Sequence, residues 1–265
     1  FKKTPNLLGV LNLTPDSFSD GGKFNTKKRG FYHAVNLMKS GADLIDVGGE
    51  STRPGSKAIS ESLEWKRINK ILKLLIKKKI PLSLDTRKSY VMKKGIEKGI
   101  SIINDVSGLN YDKKSFNLIN SKKIPFVLHH MQGTPNTMQK NPKYFNVLLD
   151  IYDFFEKKIE EIKENQKIII DPGIGFGKKL KHNLILISNI SLYHSLGYPI
   201  LIGTSRKKFI GQLANKYDSR ERIGGTLASV LYLLSQGVQI FRVHNVKEVK
   251  QGITVFKEIL SNNEK

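Results

Sequence analysis

The feature that most constrains this chain is a regular alternation of short apolar runs with longer segments of helical period. The runs are Leu7–Leu11, Leu44–Gly48, Pro81–Asp85, Ser101–Asp105, Pro125–His129, Lys167–Asp171, Pro199–Gly203 and Gln239–Val243. Each is bounded by Gly, Pro or polar residues, as strands are. In the intervening "ESLEWKRINKILKLLIKKK", Leu63, Ile68, Ile71, Leu72 and Leu75 recur on one helical face. Further helices fit around Phe31–Ser40, Tyr90–Lys98, Phe145–Glu164, Leu184–Leu196, Ile223–Ser235 and Val246–Leu260. Strands alternating with helices imply βαβ units and a parallel sheet. The shortest connection, Asp85 to Ser101, still leaves about the dozen residues that a crossover needs. Eight units without a linker, low-complexity tract or composition break favour one (β/α)8 TIM barrel over 1–265 rather than a doubly wound open sheet.

The polar residues fall in a pattern that a purely structural barrel does not need. Nearly every run ends in Asn, Asp, His, Ser or Arg: Asn12, Asp46, Asp85, Asn104 with Asp105, His129 with His130, Asp171, Ser205, and Arg242 with His244. Asn and Asp at such places often cap the following helix, and for any one of them that is the simpler account. Capping explains poorly why His and Arg join them. In a barrel the strand C-termini build the active site, so these tips read as one converging site.

The stretch "DPGIGFGKK" looks like a phosphate loop but fits neither standard spacing. The dinucleotide fingerprint needs glycine where Lys178 stands, and the P-loop needs glycine where Pro172 stands. Its role therefore has to come from its neighbours.

Charge raises one more possibility. The net charge of +22 is the kind of excess that phosphate-binding proteins carry. Here the lysines are scattered in short groups along the whole chain, 37 of them against 8 arginines, whereas recognition surfaces favour the bidentate arginine fork. That reads as a solvated coat, and no nucleic-acid partner is expected. No apolar stretch approaches the roughly 18 residues of a membrane span, so no membrane partner is expected either. The absence of cysteine excludes disulfides and a thiolate nucleophile and suits a cytoplasmic location. The chain does not begin with methionine, which suggests that it begins inside a longer gene product.

Taken in order, "LGVLNLTPDSFSDGG", "LIDVGGESTRPGS", "LSLDT", "IINDVSG", "HHMQGTP", "DPGIGFGK", "IGTSRKKFIG" and "FRVHNV" closely resemble the motifs of the dihydropteroate synthases, pterin-binding barrels of the folate pathway. The resemblance runs from Leu7 to about Leu260. It implies a transferase that joins 6-hydroxymethyl-7,8-dihydropterin diphosphate to 4-aminobenzoate, giving 7,8-dihydropteroate and diphosphate with Mg2+ and no organic cofactor. It further implies a homodimer. Breaking the C–O bond places negative charge on diphosphate and positive charge on the pterin methylene, so catalysis should be electrostatic and positional, without a nucleophilic side chain.

The resemblance also assigns roles, position by position. Asp171 anchors the pterin ring through its donor edge, Asn104 offers a donor and an acceptor to the same ring, and Asp85 contacts the ring and stabilises the developing cation. Lys207 donates to the pterin carbonyl, although Arg206 and Lys208 beside it could equally make a solvated basic run. Asn12 supplies an oxygen to Mg2+. Arg242 and His244 alternate along the last strand and form a cationic anion clamp. Thr52 and Arg53 lie on a loop that meets diphosphate and aminobenzoate, Ser205 and Phe176 flank the aminobenzoate, and Gly203 lines the substrate site. For Phe176, packing on the barrel rim is about as good an account. His129 stands where relatives commonly have methionine and is expected to be a packed or hydrogen-bonded histidine rather than a metal ligand. A pterin-binding methyl-transfer barrel is the alternative, but it would not need Asn12, Thr52, Arg242 and His244; a basic nucleic-acid-binding protein is a more distant one.

Overall fold

A computed structural model describes residues 5–14, 26–162 and 166–262. Among them are eight strands: β1 (Asn6–Asn12), β2 (Leu44–Gly48), β3 (Leu82–Asp85), β4 (Ile102–Asp105), β5 (Phe126–His129), β6 (Ile168–Asp171), β7 (Leu201–Ile202) and β8 (Ile240–Val243). All pair in parallel, in the order β6-β5-β4-β3-β2-β1-β8-β7. The two ends of that order meet through a parallel bridge between Ile170 and Ile200, where the Ile170 N–H donates to the Pro199 carbonyl at 2.9 Å. The sheet thereby closes into a (β/α)8 barrel.

Every expected run lies on a strand, and only β7 is much shorter than its run. Pro199 can accept but not donate a ladder bond. The Ile200 N–H goes instead to the Gln239 side chain at 2.8 Å, so regular pairing is reduced to two residues.

The helices are α1 (Thr26–Lys39), α2 (Glu61–Lys77), α3 (Ser89–Ile96), α4 (Lys113–Lys122), α5 (Val147–Glu161), α6 (Leu180–Ser188), α7 (Lys208–Ala214), α8 (Ile223–Ser235) and α9 (Val246–Ser261). Two of them carry too weak an apolar stripe to be legible in the sequence. In "KKSFNLINSK", α4 buries only Ser115 and Ile119, and the short α7 buries Phe209 and Ile210. The helix expected over Leu184–Leu196 breaks at Asn189, whose side chain donates back to the Ile185 carbonyl, and continues as a 3-10 turn over Ile190–Leu196. Of the loop "TPDSFSDGG", residues 15–22 lie outside the described residues.

The barrel interior is layered by the two-residue period of the strands. Leu8, Leu44, Ile102, Val127, Ile169, Leu201 and Ile240 form one buried apolar cluster, with Leu8 beside Leu44, Val127 beside Ile169 and Leu201 beside Ile240 in register. Moving two residues along each of these strands gives Val10, Asp46, Asn104, His129, Asp171, Gly203 and Arg242, and on β3 the step from Ser83 gives Asp85. The lumen is thus apolar at one level and almost wholly polar at the next. A slip of one residue would turn either layer outward, so the apolar floor fixes the register that points the polar set inward. The remaining core lies between sheet and helices, with Phe126, Phe155, Tyr193 and Phe241 among its largest fully buried side chains.

Candidate active site

At the centre of the polar layer stands Arg242, carried by β8. Its Nε donates to Asp46 Oδ2 at 2.6 Å and its Nη2 to Asp85 Oδ2 at 2.9 Å. Asn104 Nδ2 donates to the same Asp46 oxygen at 3.3 Å. Burial opposes the charge on Arg242, but Asp46 and Asp85 outweigh it and hold the guanidinium firmly protonated. Burial pushes the Asp85 carboxyl up to about 7, with Asp46 adding to the rise and Arg242 opposing it. Asp46 Oδ1 and Asn104 Oδ1 are buried acceptors with no hydrogen-bond partner among the described residues. Buried acceptors of that kind are rare and call for an explanation.

Beside this group, β6 delivers Asp171. Its Oδ1 accepts the Gly173 N–H at 2.8 Å, which folds the "DPGIGFGK" loop back over the strand end. Gly173 has φ +72 and a β-carbon there would meet the His130 carbonyl oxygen at 2.0 Å, so no other residue fits. Burial raises Asp171 to about 6, opposed by the Gly173 N–H and by Lys207, Lys178 and Arg242. The loop then presents Phe176, which stands edge-on to His129 with ring centroids 4.6 Å apart. Lys207 Nζ lies 4.0 Å from the centre of the Phe176 ring. Burial and the Arg242 charge lower Lys207 to about 8, against the pull of Asp171 and Asp85.

His129 is the packed histidine expected, and the structure adds its partners. Nδ1 donates to the Val106 carbonyl at 2.9 Å, and burial followed by the charges of Lys178 and Lys207 keeps the ring neutral. Its Nε2 is 4.0 Å from Asp171 Oδ2, a carboxylate neighbour in space that was not apparent along the chain. Beneath the loop, the buried Lys178 Nζ meets His130 Nδ1 at 3.0 Å and the Phe176 carbonyl at 2.9 Å. Nothing in the motif's spacing set Lys178 apart from its neighbour Lys179.

The rim is built from loops. Asn12, Thr14, Glu50, Ser51, Thr52, Arg53 and Arg242 line one narrow crevice at the barrel mouth. Gly203 sits beside Arg242, 3.6 Å from its Cβ to the position a glycine side chain would take. Ser205 Oγ accepts the His244 backbone N–H at 3.2 Å and lies 3.0 Å from His244 Nδ1. The hydroxyl can give its own hydrogen to Nδ1, leaving Nε2–H to donate outward. Burial, then the charge of Arg242, lowers His244 to about 3, so the imidazole is neutral. The expected cationic pair is therefore one guanidinium, already shared between two carboxylates, and one neutral donor. Lys207 is not part of a solvated basic run: only Lys208 is exposed, while Arg206 turns to the Asn245 side chain at 2.9 and 2.7 Å.

Asp46 stood among the polar tips in the sequence but had no role assigned to it. A lone carboxylate inside the apolar "LIDVG" was its signal, and its placement beside Arg242 follows only once β2 and β8 are known to flank β1. Asp105, noted beside Asn104, faces the other way and accepts from the backbone N–H groups of Ser107 and Leu109 at 2.8 and 3.1 Å, which holds the turn after β4. Among the described residues, no cluster of three His, Cys, Asp or Glu could hold a metal by itself.

Comparison with known proteins agrees with this arrangement. The family model described as "Pterin binding enzyme" matches residues 8–244. A dihydropteroate synthase of Neisseria meningitidis serogroup B is 40% identical over 264 residues, covering 96% of this chain and 93% of its own length. A Yersinia pestis dihydropteroate synthase solved as a sulfonamide drug complex superposes with a TM-score of 0.91 at 38% identity, covering 97% of this chain and 95% of its own. A Xanthomonas albilineans dihydropteroate synthase solved with 4-aminobenzoic acid gives 0.90 at 34% identity, covering 97% and 94%.

Proposed function

The chain belongs to the dihydropteroate synthase family of pterin-binding enzymes, and from that membership we propose how its residues divide the reaction. The enzyme condenses 6-hydroxymethyl-7,8-dihydropterin diphosphate with 4-aminobenzoate, giving 7,8-dihydropteroate and diphosphate. The observation that carries the division of roles is the single lumenal layer in which Asp85, Asn104, Asp171 and Arg242 follow the apolar floor by one pleat.

Asp171 accepts hydrogen bonds from the amino and ring N–H groups of the pterin, with its Oδ1 already held in place by Gly173. The unpartnered Asn104 Oδ1 is a further acceptor for the ring. Lys207 donates to the pterin carbonyl from above Phe176, whose ring faces the aminobenzoate with Ser205 beyond it. As the amine nitrogen attacks the methylene, the C–O bond breaks, its electron pair leaves with diphosphate, and the nitrogen passes its proton to water. Asp85 stabilises the positive charge that develops at the methylene. Diphosphate collects in the crevice of Thr52, Arg53 and Arg242, and His244 adds a neutral N–H donor. Gly203 leaves room beside Arg242 for the substrate.

Mg2+, which typically takes one or two protein oxygens and otherwise phosphate and water, would fit this crevice, since it offers the neutral oxygen of Asn12 and no acidic cluster of three is found among the described residues. Asn12 is the residue that would hold it, and the bound ion would supply charge neutralisation to the departing diphosphate. A cytosolic homodimer completes the reading, in keeping with the absence of cysteine and with Tyr232, Val255 and Ile259 exposed on α8 and α9. No helix among the described residues is long and apolar enough to cross a membrane.

The decisive assay is aminobenzoate-dependent formation of dihydropteroate from the pterin diphosphate, with and without Mg2+. Failure to form it would overturn the reading. Ring binding should also follow the protonation of its two anchors. The competent form has Asp171 ionised and Lys207 protonated, so affinity should rise as pH increases through about 6 and fall as it increases through about 8. Calorimetry with the pterin alcohol, which has no phosphate to titrate, tests this; an affinity flat across that range would refute it.

A further inference from the structure

The loop carrying Thr52 and Arg53 leaves β2 at Gly48 and returns to the first turn of α2 at Glu61. Its base is tied at two points: Arg67 Nη1 of α2 donates to the Gly49 carbonyl at 2.8 Å, and Glu50 joins the two ends of the loop. Glu50 Oε1 accepts the Ile59 N–H at 2.9 Å, across nine residues, and also Lys88 Nζ at 2.8 Å. Glu50 Oε2 accepts Arg87 Nε at 2.8 Å. Lys88 goes on to pair with Glu64 of α2, and the Arg87 guanidinium lies 3.9 Å over the Tyr111 ring. Glu50, Glu64, Arg87 and Lys88 are all buried. Burial alone would push the Glu50 carboxyl up, yet the bonds from Arg87, Lys88 and Ile59 hold it below the usual carboxylate range. The rest of the loop is lightly tied: Ser56 Oγ donates to the Ser51 carbonyl at 2.6 Å, and the Gly55 N–H donates to the Pro135 carbonyl at 3.0 Å.

None of these four buried charges touches a substrate role assigned above. A balanced network of two carboxylates and two cations needs a reason to be buried, since well-packed apolar residues of similar volume are often as stable. We propose that Glu50 is the positioning residue of this loop, joining its two ends so that Thr52 and Arg53 face the diphosphate crevice in one geometry. The inference rests on the roles assigned to Thr52 and Arg53. It explains why Glu50 lines the same crevice while spending both carboxylate oxygens on the protein. Arg87 and Lys88, directly after the β3 tip, tie the loop to the strand that carries Asp85.

The test uses the full chain with Glu50→Gln, which keeps the size but replaces one acceptor with a donor facing other donors. Misplacement of the loop should lower kcat/KM about ten- to a hundredfold. Binding of the pterin alcohol should be unchanged, because its anchors lie elsewhere. Amide exchange should accelerate over residues 51–58 and stay at parental rates in the strands. In a double-mutant cycle, Glu50→Gln added to Arg53→Ala should cost little beyond Arg53→Ala alone, since both act through one loop. Losses that multiply, parental kinetics for Glu50→Gln, or exchange accelerated throughout the barrel would each overturn the proposal. If Glu50→Gln does not fold, Arg87→Gln removes one of the three donors and carries the same cycle with a smaller effect. Inert Arg53→Ala and Thr52→Ala variants would instead sink the assigned roles, while faster loop exchange in Glu50→Gln would still report the clamp.

Discussion

Replacing Asp171 with alanine is expected to abolish useful pterin binding while leaving the barrel folded. Two charge-assisted hydrogen bonds of about 1.5–3 kcal/mol each are lost, which corresponds to a fall in affinity of about two to four orders of magnitude. Stability should behave differently. A carboxyl whose folded pKa is raised to about 6 contributes stability below its unfolded value, and that contribution is lost as pH rises through about 6. At pH 8 the ionised Asp171 is therefore a burden on the fold, and removing it lifts that burden. Alanine also strands the Gly173 N–H, so Asp171→Asn, which keeps an acceptor for it, is the cleaner variant. It should show the same binding defect with a thermal midpoint at or above the parent's. Calorimetric affinity equal to the parent's would dismiss Asp171 as the ring anchor.

Arg242→Ala should damage both folding and turnover. It leaves Asp46 and Asp85, 0% and 5% exposed, facing each other without their shared cation. Breaking a buried ion pair by removing one partner typically destabilises by about 3–5 kcal/mol. The loss should depend on pH. Arg242 is the chief influence holding Asp85 down, so its removal raises a carboxyl already near 7 still further. The folded variant then binds a proton that the unfolded chain does not, and its stability falls as pH rises. Thermal midpoints of variant and parent should lie closer at pH 5 than at pH 8; a gap independent of pH would contradict the account. Adding Asp85→Asn should recover stability without recovering turnover, because the diphosphate clamp is still missing. Loss of such a preorganised charge typically costs about 10²–10³ in kcat.

The strands were legible because parallel strands in a barrel are buried on both faces and read as Ile, Val and Leu runs. The polar tips were legible because they follow those runs at a fixed offset. Which of two adjacent tips faces inward was not: Asn104 and Asp105 are indistinguishable until the pairing of β4 with β3 is known. The charge state of His244 was likewise beyond reach, since burial and the nearby Arg242 determine it. The contacts of Asp46 and Glu50 stayed hidden for a related reason. Each pairs with a partner far away in sequence that only the strand order brings close, Arg242 in one case and Arg87 with Lys88 in the other.

The junction of β6 and β7 has a consequence of its own. It is held by a single bridge at Ile170 and Ile200, where the other strand pairs have regular ladders. This seam is the natural place for the barrel to breathe, because few hydrogen bonds must open. Asp171 stands at the end of one of its strands, and Ser205 and Lys207 follow the other. A pterin held between Asp171 and Lys207, as proposed above, would therefore be a stitch across the weakest closure of the cylinder. The substrate would then stabilise the shape that recognises it, by mass action on the closed form.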